Sequence, residues 1–217
     1  MLNLCGLKFR ESEMNILNSL NTPEGFTIHE FNNDIFVIDN CMSEIHHQEI
    51  LRFIRLNISN FGKIHSATPE IESYYSDPAA RPKAIYVNKE REPEMDRLCL
   101  GIFRQIGKAF TRYQDEIHRA QVAIQGDSGY RLSIYDEHNS SYKFHTDAGF
   151  TNKNRHVSCI IGLNNDYEGG YLNFPKFDAK FKLGARQCIL FPSIYTHPHE
   201  VLPVTKGERK TLMTWFI

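Results

Sequence analysis

After Pro93, apolar residues recur at Met95, Leu98, Ile102, Phe103, Ile106, Phe110, Tyr113 and Ile117. Steps of three and four predict one long amphipathic helix whose stripe supports something flat. From Tyr130 onward the period changes to two and stays there, in short runs separated by turn residues. Eight strands are expected, over 129–136, 141–146, 156–164, 170–174, 179–183, 186–191, 197–203 and 209–216. Short antiparallel strands packed on helices predict a mostly β fold with supporting helices, arranged as a jelly-roll double sheet that encloses a ligand cavity. Upstream, Ile35-Phe36-Val37-Ile38 reads as a strand, and Ser43 as the cap of a helix carrying Ile45, Ile50, Leu51, Ile54 and Ile58. From Phe61 to Arg81 the chain is polar and holds Tyr74-Tyr75 and two prolines, a long loop that suits a cover over a site.

The pattern divides the chain into an N-terminal extension (1–25), a helical supporting region with the long loop (26–125) and a β core (126–217), forming one compact unit. Composition changes this picture little. At 41% hydrophobic and 24% charged, the chain resembles an ordinary globular protein. A formal net charge of -1 provides no field that would hold a polyanion or an anionic membrane. The five cysteines include no C-x-x-C pair, so neither a disulfide framework nor a structural zinc module is expected. No run approaches the apolar length that spans a bilayer, and a cytoplasmic protein is the expectation. Oligomeric state leaves no mark on the sequence.

The candidate chemistry lies in the β half. In Ser141-Tyr142-Lys143-Phe144-His145-Thr146-Asp147, alternation places His145 and Asp147 on one strand face, so that both reach into the same cavity. A histidine follows on a distant strand, then Arg209. Two histidines and one carboxylate have the residue content of a non-haem Fe(II) site with open coordination positions. Both His197 and His199 lie on one face of the 197–203 strand if it is regular, so the residues alone leave the third ligand open. His46-His47 and His138 read as solvated, and Arg81, Lys83, Lys89 and Arg91 as a charged face.

Tyr135, Tyr142, His145-Thr146-Asp147, Glu168-Gly169-Gly170-Tyr171-Leu172, Phe191-Pro192-Ser193, His199-Glu200-Val201-Leu202-Pro203-Val204, Gly207-Glu208-Arg209 and Trp215-Phe216 together carry a resemblance. Residues 130–217 resemble the catalytic core of the 2-oxoglutarate and Fe(II)-dependent dioxygenases, in the prolyl 4-hydroxylase-like branch. The resemblance implies a double-stranded β-helix of the cupin-like kind, with His145, Asp147 and His199 as iron ligands. It decides for His199 over His197 through the H-x-V-x-P-V match and the ten-residue spacing to Arg209. Arg209 is implied to meet the far carboxylate of 2-oxoglutarate, a planar fork matched to two oxygens. Tyr135, ten residues before His145, is implied to hydrogen-bond the same cosubstrate, and Thr211 to add a hydroxyl; simple aromatic packing in the sheet stays open for Tyr135 and Tyr142.

The branch implies hydroxylation of an unactivated C–H bond, with O2 consumed, succinate and CO2 released and ascorbate keeping the iron reduced. Its expected substrate is a prolyl residue in a protein or peptide, with a free amino acid or small molecule, or a silent metal-binding module, as alternatives. Nucleic acid is not an expected partner: relatives that repair it carry a second arginine downstream, and Arg209 is the last arginine here. Nor is a membrane.

Overall fold

The structure, a computed structural model, describes residues 16–22, 25–31, 34–63, 81–117, 124–138, 140–149 and 152–217. Strands β1 (Ile16–Asn21), β2 (Thr27–Phe31) and β3 (Ile35–Asp39) lead into helix α1 (Glu44–Leu56). Strands β4 (Gly62–Lys63) and β5 (Lys83–Tyr86) then precede the long helix α2 (Pro93–Ile117). The remainder is β structure: β6 (Arg131–Tyr135), β7 (Tyr142–His145), β8 (Val157–Gly162), β9 (Tyr167–Gly169), β10 (Leu172–Phe174), β11 (Ala179–Phe181), β12 (Cys188–Pro192), β13 (His199–Val201), β14 (Val204–Gly207) and β15 (Arg209–Phe216).

A nine-stranded sheet runs β1-β2-β3-β12-β8-β15-β6-β5-β4, facing a four-stranded sheet β11-β10-β13-β7, with a two-stranded ribbon β14-β9 at one end. Every pairing is antiparallel. This is the expected jelly-roll core, a double-stranded β-helix backed by helices.

The central strands of the large sheet are buried on both faces, and alternation sorts their residues between two cores. Leu132 and Ile134 of β6, Cys159 and Ile161 of β8, and Leu212 and Phe216 of β15 pack against α2, which contributes Cys99, Ile102, Phe103, Ile106, Ala109, Phe110 and Tyr113. Phe103 stacks on Tyr130, centroids 5.5 Å apart at 3°. Tyr135, Ile160, Met213 and Trp215 point the other way, meeting Leu172, Phe174, Phe181, Phe191 and Val201 between the two sheets. The period of two thus gives the large sheet one face for support and another for a site.

α2 follows the sequence pattern, beginning at Pro93, whose missing N–H is no loss in a first turn. α1 is capped as expected, the Ser43 hydroxyl accepting from His46 N at 3.2 Å, but it is rotated from the expected stripe. Its buried residues are His47, Ile50 and Ile54, while Ile45 is 76% exposed and Ile58 lies beyond the helix. His47, expected to be solvated, donates through Nε2 to the Leu163 carbonyl at 2.7 Å and so ties α1 to the end of β8. A polar anchor outweighed the apolar count in setting the rotation.

Each of the eight expected strands overlaps an observed one, β12 running one residue past its expected end. Strands β1, β2, β4, β5, β9 and β14 were not foreseen. Most have too few residues to show alternation, and β1 and β2 carry polar side chains that are satisfied only in pairing, Asn18 donating to Glu30 at 2.9 Å. The stretch read as an extension therefore contributes an edge strand. Of the loop read as a cover, residues 64–80, including Tyr74-Tyr75, lie outside the described residues.

Ile106 is fully buried between α2 and the sheet. Ile106→Ala is expected to lower unfolding stability by about 2–5 kcal/mol, measured as a shift in urea midpoint at unchanged m-value.

Candidate active site

The sheet pairing itself brings the candidate ligands together. β7 and β13 are antiparallel neighbours, with His145 directly opposite His199. Their rings lie 4.4 Å apart between centroids. Asp147 sits in the bend just past β7, rather than on the strand as expected. Its Oδ1 lies 3.3 Å from His145 Nε2 and its Oδ2 lies 3.6 Å from His199 Nε2. One donor atom from each of the three lies within 4.8 Å of the others, the only such group of three or more His, Cys, Asp or Glu among the described residues. His197, the competing candidate, is buried but precedes β13, its Nδ1 2.9 Å from the Thr196 hydroxyl.

The donor set suits a divalent metal because each imidazole is held by its other nitrogen. His145 Nδ1 lies 2.7 Å from the Lys143 carbonyl and His199 Nδ1 lies 3.1 Å from the His197 carbonyl. Nδ1 must carry the proton to donate there, so in the neutral ring it is Nε2 that offers a lone pair to the shared centre. Burial pushes the His199 imidazole down to about 4, against the pull of Asp147, so it is neutral at physiological pH. For Asp147, burial is opposed by the His199 and His145 imidazoles when they carry a proton and by the Ser158 hydroxyl, which hold its carboxyl well below the ordinary carboxylate range; with the rings neutral, a bound cation would take over that part. A charged carboxylate and imidazole lone pairs are what a metal requires of such ligands.

Sequence reasoning missed the support behind Asp147. Ser158 of β8 donates to Asp147 Oδ2 at 2.6 Å. Its own oxygen lies 2.8 Å from the Ser193 hydroxyl, which is left as the donor of that pair. The available signal was a lone serine in the apolar run Val157-Ser158-Cys159-Ile160-Ile161, on the face shared with Ile160. Phe191 and Phe174 complete an apolar wall, their centroids 4.7 and 5.7 Å from that of His199.

The cleft is lined by these ligands together with Arg131, Tyr135, Tyr142, Ile160, Leu172, Val201, Arg209, Thr211 and Met213. Arg209, 2% exposed, stands opposite Tyr135 in the β15–β6 pairing, its guanidinium carbon 4.9 Å from that ring's centroid. It also neighbours the Tyr167 phenol. No carboxylate among the described residues pairs with it, and its Nε has no partner. A buried cation so placed calls for an anion. Thr211, also buried, follows on the same face. Gly170, expected only as a turn residue, has a second reason to be glycine. It has φ +62°, and a Cβ there would come within 2.9 Å of Arg209 Cδ and Val204 Cγ2.

Residues 130–217 match the model of the 2OG-Fe(II) oxygenase superfamily. This segment is a 2OG-Fe(II) oxygenase domain. The chain is 44% identical over 63 residues to a PKHD-type hydroxylase of Colwellia psychrerythraea, the match spanning 27% of this chain and 27% of that relative. The chain thus spans about a quarter of the length of that curated relative. Among solved structures, a prolyl hydroxylase from Trichoplax adhaerens, in complex with a hypoxia inducible factor oxygen degradation domain peptide fragment, aligns with TM-score 0.63 at 19% identity, covering 86% of this chain and 84% of that one. The 2OG complex of a viral collagen prolyl hydroxylase from Paramecium Bursaria Chlorella virus-1 aligns with TM-score 0.58 at 16% identity, covering 85% and 96%. The oxygenase domain and its supporting helices therefore share the prolyl hydroxylase fold. No described helix is long and apolar enough to cross a membrane.

Ser158→Ala is expected to weaken divalent metal binding by about 10- to 100-fold without unfolding the protein. Competition between the oxygenase domain and a chelating dye for Mn(II) measures it.

Proposed function

We propose that this protein is an Fe(II)- and 2-oxoglutarate-dependent dioxygenase that hydroxylates a prolyl residue of a protein or peptide. One observation carries the chemistry: the Nε2 atoms of His145 and His199 and the Asp147 carboxylate converge in a cleft that also holds the buried Arg209 guanidinium, which no carboxylate of the described residues pairs. His145, Asp147 and His199 would hold the metal on one side, leaving coordination positions free for ligands. Fe(II) held there would activate dioxygen, whose oxidising power is met by two electrons from 2-oxoglutarate, split to succinate and CO2, and two from the C–H bond that becomes C–OH.

The protein's own residues bind, orient and exclude water. Arg209 receives the far carboxylate of the cosubstrate in bidentate fashion, its stem passing the bare Cα of Gly170. Tyr135 and Thr211 line the same stretch of cleft and direct hydroxyls at that cosubstrate. Phe174, Phe191 and Leu172 keep the surroundings apolar, which strengthens every charge interaction made within.

A prolyl substrate is supported by the solved relatives, which are prolyl hydroxylases. A free amino acid or other small acid is supported by a single feature of the cleft, the buried Arg131.

Anaerobic addition of Fe(II) and then 2-oxoglutarate to metal-free protein is expected to develop the visible charge-transfer band of the chelate. His199→Ala abolishes the band, and Arg209→Ala raises the cosubstrate concentration needed by roughly 10- to 100-fold, since a hydrogen bond to a charged group contributes about 1.5–3 kcal/mol. Absence of the band in wild type, with both ligands supplied, overturns the proposal and leaves a metal-binding module. Succinate release with proline-containing peptides against free amino acids, with ascorbate present, then separates the substrate classes.

A further inference from the structure

Arg131 opens β6 on the face that looks into the cleft, yet the proposed cosubstrate and metal give it no task. It is 8% exposed. Among the described residues its side chain contacts neutral groups: Nη2 lies 2.7 Å from the Met213 sulfur, the guanidinium carbon 5.2 Å from the Trp215 ring and 5.8 Å from the Tyr142 ring, with the Tyr86 phenol beside it. Its Nε has no partner, and no carboxylate among the described residues pairs with it. A guanidinium keeps its charge at any pH a protein meets, so this is a buried, uncompensated cation.

Its place in the register separates it from Arg209. Arg209 stands opposite Tyr135 and Met213 opposite Arg131, four positions along each strand. At the rise of an antiparallel strand the two backbone positions lie about 13 Å apart on the same face. Formal charge separates them too. With the two carboxylates of 2-oxoglutarate and that of Asp147 set against a divalent metal and Arg209, the charges cancel. Arg131 remains in excess, and a second guanidinium, that of Arg155, lies 3.5 Å from the centroid of the same Trp215 ring. A soft thioether and two aromatic faces hold Arg131 in place without neutralising it.

We propose that Arg131 is a specificity residue that receives a carboxylate of the primary substrate, so that the cleft selects acids over their neutral isosteres. This rests on the dioxygenase reading for the assignment of 2-oxoglutarate to Arg209. The carboxylate is either the free α-carboxylate of an amino acid or C-terminal residue, or the side chain of an acidic residue beside the target in a peptide.

Trp215 is the sole tryptophan of the chain, and its emission reports binding beside Arg131. The test uses the full chain loaded with Mn(II) and 2-oxoglutarate, titrated with matched pairs. One arm compares N-acetyl-L-proline with N-acetyl-L-prolinamide, the other acetyl-Pro-Asp-amide with acetyl-Pro-Asn-amide. In at least one arm the acid is expected to bind about tenfold or more tighter than its neutral partner, and that arm identifies the source of the carboxylate. Arg131→Met, a replacement suited to a neighbourhood of Met213 and Trp215, is expected to bring each pair within about twofold while 2-oxoglutarate affinity stays unchanged, and Arg131→Lys to keep part of the preference. The proposal is overturned if neither arm discriminates, if discrimination survives Arg131→Met, or if that variant loses 2-oxoglutarate affinity, which would assign Arg131 to the cosubstrate. The wild-type comparison stands even if the variants fail to fold. Failure of the dioxygenase reading shows separately, as no 2-oxoglutarate binding by the wild type.

Discussion

The site depends on a buried carboxylate kept charged by its neighbours. Asp147 is removed from water, which alone would raise its pKa; the Ser158 hydroxyl donates to it, and positive charge shared with the two imidazoles, on a proton or a bound cation, keeps it ionised. Each helper is in turn fixed by main chain. His145 and His199 donate to carbonyls within their own segments, and Ser158 is held on a central strand between β15 and β12. The result is a set of donors whose orientation is established before any metal arrives, which lowers the cost of assembling the site.

That arrangement requires two sheets at a definite separation, and the supporting half of the molecule provides it. The stripe of α2 covers one face of the large sheet, and the His47 anchor draws α1 onto the end of β8. With one face sealed, the residues of β6, β8 and β15 that point the other way can include Arg131, Ser133, Ser158, Arg209 and Thr211 without destroying the core. Polar groups in that number would not be tolerated between two packed layers unless the layers enclosed a ligand.

The cleft is consequently cationic around a single carboxylate. Arg209 and Arg131 both lack acidic partners among the described residues, and they lie at different rows of the same strand pair. Unpaired buried guanidiniums weaken the empty fold and are offset when anions bind. Part of the stability of this architecture is therefore conditional on its ligands.

Strand alternation from Tyr130, the α2 stripe and the Ser43 cap were legible in the sequence because each follows from local periodicity or fixed spacing, whereas the ordered set His145, Asp147, His199 and Arg209 was legible through the family resemblance. The short strands β9 and β14 were not, since three or four residues cannot display a period. The burial of His47 escaped notice because its partner, the Leu163 carbonyl, is remote in sequence. Ser158 and Arg131 were passed over for a related reason: one polar residue in an apolar strand has no meaning until the strand's two faces are assigned. The sequence by itself determined the kind of fold and the chemical types of the site. Only the tertiary structure decided that His145 stands opposite His199, that Ser158 supports Asp147 and that Arg131 shares a cleft with Arg209. Register between strands distant in the chain is set by packing across both faces of the sheet, and no local pattern encodes it.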